Sequence, residues 1–308
     1  MMSGELYGAI EAGGTKFVCA VGHDSPTFLE KYFESIPTST PAATFAAIVA
    51  FFERMQAEVG PLAAIGIAAF GPIDIDRRSC TWGRLLETPK AGWSGTSLAA
   101  PLEAFDCPIA IDTDVNAAAL AEVNYGAGAG VDSLAYVTVG TGIGGGVVID
   151  GRPLKGMLHP EMGHIRVRRD TRDAGFGGTC PFHGDCLEGL ASGAALQARW
   201  QQPVEVWPED HVGFDLIGGY LGQLAANIAL TISCRRIVFG GGVMSDGRML
   251  PHVRRAACSS LNGYLPVDAR AGGFSRFITA PGLGRRAGVI GAMLLAREAA
   301  RQTARSTP

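Results

Sequence analysis

Apolar residues along the chain fall into short runs broken by glycine. Leu6 to Ile10 and Phe17 to Val21 flank Gly13-Gly14, which predicts a β-hairpin with its loop around Ala12 to Lys16. Ala42 to Val59 carries helical spacing and stops at Gly60-Pro61. Ala63 to Phe70 is continuously apolar and closes at Gly71-Pro72, which predicts a buried strand. Ile109 to Ile111 reads as a short strand and Val115 to Tyr125 as an alanine-rich helix. Leu134 to Val139 and Gly146 to Ile149 predict a second strand pair around a glycine loop. Helices are expected over Ala191 to Trp200 and Tyr220 to Cys234, then a strand over Ile237 to Phe239 that enters Gly240-Gly241-Gly242. An amphipathic helix, Ala287 to Arg301, comes last.

Interleaved strands and helices point to the α/β class. The strand–glycine loop–strand unit near residue 13 recurs near residue 143, a separation far too long for a solenoid repeat. One fold used twice is the simplest account. It sets a domain boundary near residue 123, dividing 1–123 from 124–308, with the helix over 287–301 a candidate to pack back on the first domain.

Composition narrows the function classes. The 43 glycines among 308 residues lack collagen periodicity, so they point to tight turns and close backbone approach to a ligand. A formal net charge of -3 leaves no basic footprint for nucleic acid. Seven irregularly spaced cysteines do not form a secreted disulfide framework. No secretory leader is read at the N-terminus. The most apolar helical stretch, Leu221 to Cys234, contains Gln223 and Asn227 and reads as buried rather than membrane-spanning. A cytoplasmic enzyme with no membrane partner is the expectation.

Gly140, Gly142 and Gly145 satisfy G-x-G-x-x-G in form. A dinucleotide fingerprint needs a helix after the loop, whereas here Val147-Val148-Ile149 reads as a strand. The chain also lacks the Gly-Lys-Ser/Thr of a P-loop. What remains is a glycine hairpin whose bare N–H groups can approach phosphate, or simply a tight turn. Gly13-Gly14-Thr15-Lys16 adds a hydroxyl and an ammonium, the latter either a point charge for a terminal phosphate or a solvated hairpin-tip lysine.

The sharpest local pattern is Cys180-Pro-Phe-His183-Gly-Asp-Cys186, with His164 upstream. Two thiols and two imidazoles fill a tetrahedral zinc shell with no open position, the structural arrangement. Two buried thiols with two surface histidines, or a Cys180–Cys186 disulfide, are the alternatives.

Asp112-Thr113-Asp114-Val115-Asn116 lies where a strand passes into a helix, and these residue types are good helix caps. Only one cap is needed. A carboxylate at a strand's carboxyl end is also where an α/β fold faces its ligand, so Asp114 could take a proton from a sugar hydroxyl. Glu161 and Glu188 flank the cysteine–histidine cluster, where carboxylates could hold polyol hydroxyls or merely be solvated.

Together these segments resemble the ROK family of sugar kinases and repressors, from Ile10 through Gly242 and more weakly to the final helix. Glu11-Ala-Gly-Gly-Thr-Lys16 resembles the first phosphate loop, Asp114-Val-Asn116-Ala-Ala-Ala the catalytic segment and Gly140 to Gly146 the second phosphate loop. Glu161-Met-Gly-His164 and Cys180 to Glu188 resemble the sugar-and-zinc signature. The resemblance implies an actin-like fold of two ribonuclease-H-type domains with the active site in the cleft between them. It implies that Asp114 is the general base and that Asn116, in the same segment, binds substrate. Glu161, His164 and Glu188 would hold sugar hydroxyls, and Gly71 and Trp93 would line the sugar pocket, although Trp93 could equally be core. ATP would lie across Gly13, Gly14, Thr15 and Lys16, across Gly140, Thr141, Gly142 and Gly144, and across Gly240, Gly241 and Gly242. Mg²⁺ would accompany ATP. Structural Zn²⁺ would sit on His164, Cys180, His183 and Cys186, fixing the sugar pocket without touching the phosphate. A homodimer is implied as well.

Ile10 to Cys19, Thr88-Pro-Lys-Ala-Gly-Trp93 and histidine at position 183 resemble the fructokinase subgroup. Mannose, glucose or an N-acetylhexosamine are alternative substrates. A non-catalytic sugar-binding protein and a repressor rank lower. The repressor would need a DNA-binding module, yet the first strand begins by Leu6 and the basic tail is short. Two positions depart from the family pattern. Glu11 stands where many actin-like kinases carry aspartate, which alters how magnesium is held. Thr113 stands where many relatives carry asparagine, so that sugar contact is not carried over.

Overall fold

Alternation of large and small apolar residues builds the first sheet. In the computed structural model, which describes residues 5–23, 32–88 and 90–306, it consists of β1 (Tyr7–Ala12), β2 (Lys16–Gly22), β3 (Phe33–Pro37), β4 (Ala64–Ala69) and β5 (Ile109–Thr113), in the order β3-β2-β1-β4-β5. The β1–β2 and β2–β3 pairs are antiparallel, whereas β1–β4 and β4–β5 are parallel. One face carries Ile10, Phe17, Ile65, Ile67 and Ile111, which share a core with α1 (Pro41–Val59). Thr40 caps α1 by accepting from Ala43 N–H, with Pro41 where its missing N–H costs nothing. Trp93 is fully buried in this core, stacked on Phe17 with its indole N–H donated to Ser39 O. It is therefore packing rather than pocket lining. Pro89, in the Thr88–Trp93 stretch, lies outside the described residues.

The opposite face carries small residues, among them Ala9, Ala64, Gly66 and Ala110. This lets α9 (Ala287–Ser306) approach the strands so closely that a methyl on Gly66 would strike the backbone of Ala292 and Ala296. Gly291 of α9 likewise touches the backbone of Ala117 in α2 (Asp114–Tyr125).

The second sheet repeats the first. It contains β6 (Leu134–Val139), β7 (Ile143–Ile149), β8 (Arg152–Pro153), β9 (Arg236–Gly240) and β10 (Ile278–Thr279), in the order β10-β9-β6-β7-β8. Its β6–β7 and β7–β8 pairs are antiparallel and its β6–β9 and β9–β10 pairs parallel, so each strand has a counterpart in the first sheet. The helices here are α3 (Leu187–Ala191), α4 (Gly193–Trp200), α5 (Val212–Thr231), α6 (Met249–Leu261), α7 (Val267–Ala271) and α8 (Phe274–Phe277). No described helix is long and apolar enough to cross a membrane.

Several expectations shift. β7 starts at Ile143, because Gly144, Gly145 and Gly146 pair with Thr138, Val137 and Tyr136, so the glycine turn shrinks to Gly140–Gly142. The helix expected over 191–200 breaks at Ser192, which is extended and caps α4 through Ala195 N–H. The helix expected over 220–234 begins at Val212 and ends at Thr231. Neither β3 nor α6 was anticipated. In α6, Pro251 sits in the first turn, where proline is tolerated, and Met249, Leu250, Val253, Ala257 and Leu261 form one buried stripe.

The chain divides into two units, Met1–Ala121 with Lys155–His159 and Arg285–Pro308, and Glu122–Leu154 with Pro160–Gly284. Against the sequence boundary at residue 123, the first crossing lies two residues earlier, and two later segments belong to the first unit.

Candidate active site

In the first unit, the parallel strands β1, β4 and β5 end together, with Ala12 beside Ala69 and Ala69 beside Thr113. Gly13, Gly71 and Asp114 therefore line one carboxyl edge of the sheet. The hairpin tip is tight: Gly13 N–H donates to Lys16 O at 3.0 Å, and a methyl on Gly13 would lie 2.8 Å from that oxygen. Thr38 holds the tip from outside, through its hydroxyl to Gly13 O at 2.8 Å and its N–H to Thr15 O at 2.9 Å. Gly14, Thr15 and Lys16 are exposed.

The Asp112–Asn116 segment divides its work. Thr113 caps α2, its hydroxyl oxygen accepting from Asn116 N–H at 3.1 Å. Asp112 is fully buried and accepts from Thr113 N–H at 2.8 Å and from the Asn116 side-chain amide at 2.7 Å. Its other oxygen pairs with Lys155 Nζ at 3.0 Å, a partner that no pattern near residue 155 had signalled. Asn116 is itself fully buried, so its observed contacts position this turn. Asp114 is thereby released from capping and sits partly exposed at the start of α2, accepting from Val115 N–H at 2.9 Å. Burial and the nearby Asp114 charge push the Glu11 carboxyl up to about 7, with Lys16 and the Val289 N–H at the start of α9 opposing. Two carboxylates that repel one another make a place that favours a cation. Gly71 is exposed, with the buried His159 ring 3.4 Å from where its side chain would begin.

In the second unit, Gly140–Gly142 and Gly240–Gly242 follow the adjacent strands β6 and β9. Gly241 has φ +91° and lies against Val139, where any side chain would collide with backbone. Two glycine turns thus follow neighbouring strands, the first closed by Gly140 N–H donating to Gly142 O at 2.9 Å, while Gly144 lies within β7.

His164, Cys180, His183 and Cys186 converge, with one donor atom from each lying within 4.8 Å of the others. Cys180 Sγ lies 3.7 Å from Nδ1 of both His164 and His183, and Cys186 Sγ lies 3.6 Å from His164 Nδ1. Tetrahedral zinc with its usual bond lengths sets sulfur–nitrogen edges of about 3.6 Å, so the donor set fits that ion. All seven cysteines are free, so the disulfide alternative does not hold in this structure. Reciprocal backbone bonds between Cys180 and Gly184 form the knuckle that presents Cys180 and His183. With Nδ1 of His164 facing the thiols, its Nε2 remains for another partner. Glu161 is exposed just before the short turn bearing His164. Glu188, in α3, accepts from Ile143 N–H at 2.9 Å.

Behind the knuckle lies a buried polar cluster that the sequence did not announce. Asp173 is bound by Arg199 through two bonds of 2.9 and 2.8 Å and by the Tyr220 hydroxyl at 2.8 Å. Residues spaced this far apart leave no local signal.

The sequence model of the ROK family matches residues 7–299. The chain belongs to the ROK family. Like other ROK proteins it has the actin-like α/β fold, here as two copies of one sheet topology. It is 45% identical over 296 residues to the fructokinase of Zymomonas mobilis, covering 95% of this chain and 96% of that one. It is 40% identical over 302 residues to a putative fructokinase of Bacillus subtilis, covering 98% of each. Among solved structures, a ROK family glucokinase from Streptomyces griseus in complex with glucose and AMPPNP superposes with a TM-score of 0.72 at 26% identity, covering 95% of this chain and 99% of that one.

Proposed function

We propose that this ROK protein transfers the γ-phosphoryl group of ATP to the 6-hydroxyl of D-fructose. The observation that carries the reading is its near-full-length likeness to fructokinases at 45% and 40% identity. The geometry agrees, since capping by Thr113 leaves Asp114 at the sheet's carboxyl edge. Phosphoryl transfer passes through a loose transition state, so the protein's task is positioning and charge stabilisation. Asp114 orients the sugar hydroxyl and accepts its proton, a role typically worth 10²–10⁴-fold. Lys16 and the Gly13–Thr15 tip meet the terminal phosphate. Gly140, Thr141, Gly142 and Gly144 serve the phosphates, and Gly240–Gly242 the adenosine. Glu161, Glu188 and His164 Nε2 hold sugar hydroxyls, Gly71 also serves the sugar, and Asn116 keeps the catalytic turn in place.

Zinc would be held by His164, Cys180, His183 and Cys186, where it supplies a structural cross-link. Mg²⁺ would arrive with ATP, and the field of Glu11 and Asp114 favours its charge. A cytoplasmic homodimer, as the family resemblance implies, belongs to the same reading.

ADP release with Mg-ATP against fructose, mannose, glucose, N-acetylmannosamine and N-acetylglucosamine tests the proposal. A strong preference for fructose is expected. Preference for another hexose would overturn the substrate and keep the kinase.

A further inference from the structure

The turn Gly140–Ile143 is gripped along its length by two short helices. Ile143 N–H donates to Glu188 Oε2 at 2.9 Å. Gly140 O accepts from Gly193 N–H at 2.7 Å, and Thr141 O accepts from Ala194 N–H at 3.4 Å. The carboxylate is seated hard against the turn, for a methyl on Gly142 would lie 2.5 Å from Glu188 Oε2. An α3 of five residues is too short to hold its own conformation. Its ends are set from outside. Cys186, one of the four metal-type donors, is its N-cap, Leu187 N–H donates to Ile165 O, and Thr179 N–H reaches back to Gly189 O. The knuckle therefore fixes where Glu188 stands, and Glu188 fixes where the Ile143 amide points.

Resting on the proposed nucleotide role of this turn, we infer that Glu188 is a positioning residue for the nucleotide as well as a sugar-holding group. Its Oε2 holds the phosphate turn and its Oε1 faces the sugar. The metal knuckle is thus read out on the nucleotide side as well as in the sugar pocket. One carboxylate serving both ligands couples them, and binding linkage is reciprocal.

Calorimetric titration of the metal-loaded, sugar-free protein with Mg-AMPPNP tests this. Glu188→Ala is expected to weaken AMPPNP at least about tenfold, as loss of a hydrogen bond to a charged acceptor does, and to speed hydrogen exchange at the Ile143 amide. Glu188→Gln keeps an acceptor oxygen and should recover most of the affinity. Gly142→Ala leaves Glu188 chemically intact but displaces it, and should weaken AMPPNP with metal content unchanged. Wild-type AMPPNP affinity in sugar-free Glu188→Ala, with only sugar binding lost, would overturn the inference. Failure of the wild type itself to bind AMPPNP would instead overturn the kinase reading on which it rests.

Discussion

At the scale of single residues, the first unit separates two aspartates, on either side of Thr113, by their partners. Asp112 is buried and held by Thr113, Asn116 and Lys155, whereas Asp114 is partly exposed and accepts from Val115 N–H. Asp114→Asn should lower kcat by at least 10²-fold while leaving the fructose dissociation constant within about threefold, because the amide keeps the shape and loses only the base. Calorimetry beside steady-state kinetics checks this, and parallel loss of sugar binding would argue against the base. Glu11 gives a pH signature. In the fold its carboxyl keeps its proton up to about pH 7, against an ordinary 4.5. Between those values the unfolded chain releases a proton that the folded protein retains, so stability falls as pH rises through this window and the loss levels off above it. Glu11→Gln removes the effect. The variant should match the wild type near pH 4.5 and exceed it by up to about 3 kcal/mol at pH 8. Urea unfolding from pH 5 to 8 reads the difference, and an offset independent of pH would contradict it.

At the scale of elements, close approach is bought with glycine. Gly66→Ala would drive a methyl into the backbone of α9, which cannot move aside as a flexible side chain would. A destabilisation of about 1–3 kcal/mol is expected from such overpacking, seen as a lower thermal midpoint. Gly14→Ala is the control, since no atom lies within 4 Å of its added methyl. The knuckle is a second such element, and the proposed zinc would hold it together. Removing the metal with a chelator should release about one zinc per chain and loosen residues around 164–190, measured by metal analysis and hydrogen exchange. Unchanged protection there after complete removal would show that the knuckle stands without an ion.

At the scale of the whole molecule, the chain crosses between its two units at Ala121/Glu122, around Lys155–His159 and at Gly284/Arg285. Glu122 ties the first crossing to the last from within the second unit. Fully buried, it accepts from Ala127 N–H at 2.6 Å and from Gly282 and Leu283 N–H at 2.9 Å each. Glu122→Ala strips three N–H donors of their acceptor and should cost about 3 kcal/mol or more, while Glu122→Gln should cost less. Denaturant melts of both variants, with limited proteolysis around residue 284, read the effect. Equal stability of all three proteins would mean that water replaces the carboxylate without loss.

Much of this protein was determined by sequence alone, wherever the signal was local. Hairpins, the helix over Pro41–Val59, the duplicated glycine turns and the cysteine–histidine spacing depend on residues near one another, so pattern and chemistry exposed them. The donors of the knuckle lie within a few residues apart from His164, and ligand chemistry supplied the missing link. Tertiary structure alone decided what long-range packing controls. Lys155 on Asp112, Glu188 on Ile143 N–H and Arg199 on Asp173 join residues far apart, and no periodicity encodes such pairs. The return of α9 to the first sheet rests on a face of small residues at Ala64, Gly66 and Ala110, which have meaning only once the helix that covers them is known. A carboxylate's character shows in its residue type, but its role depends on which neighbours neutralise, bury or release it, and the fold chooses those neighbours.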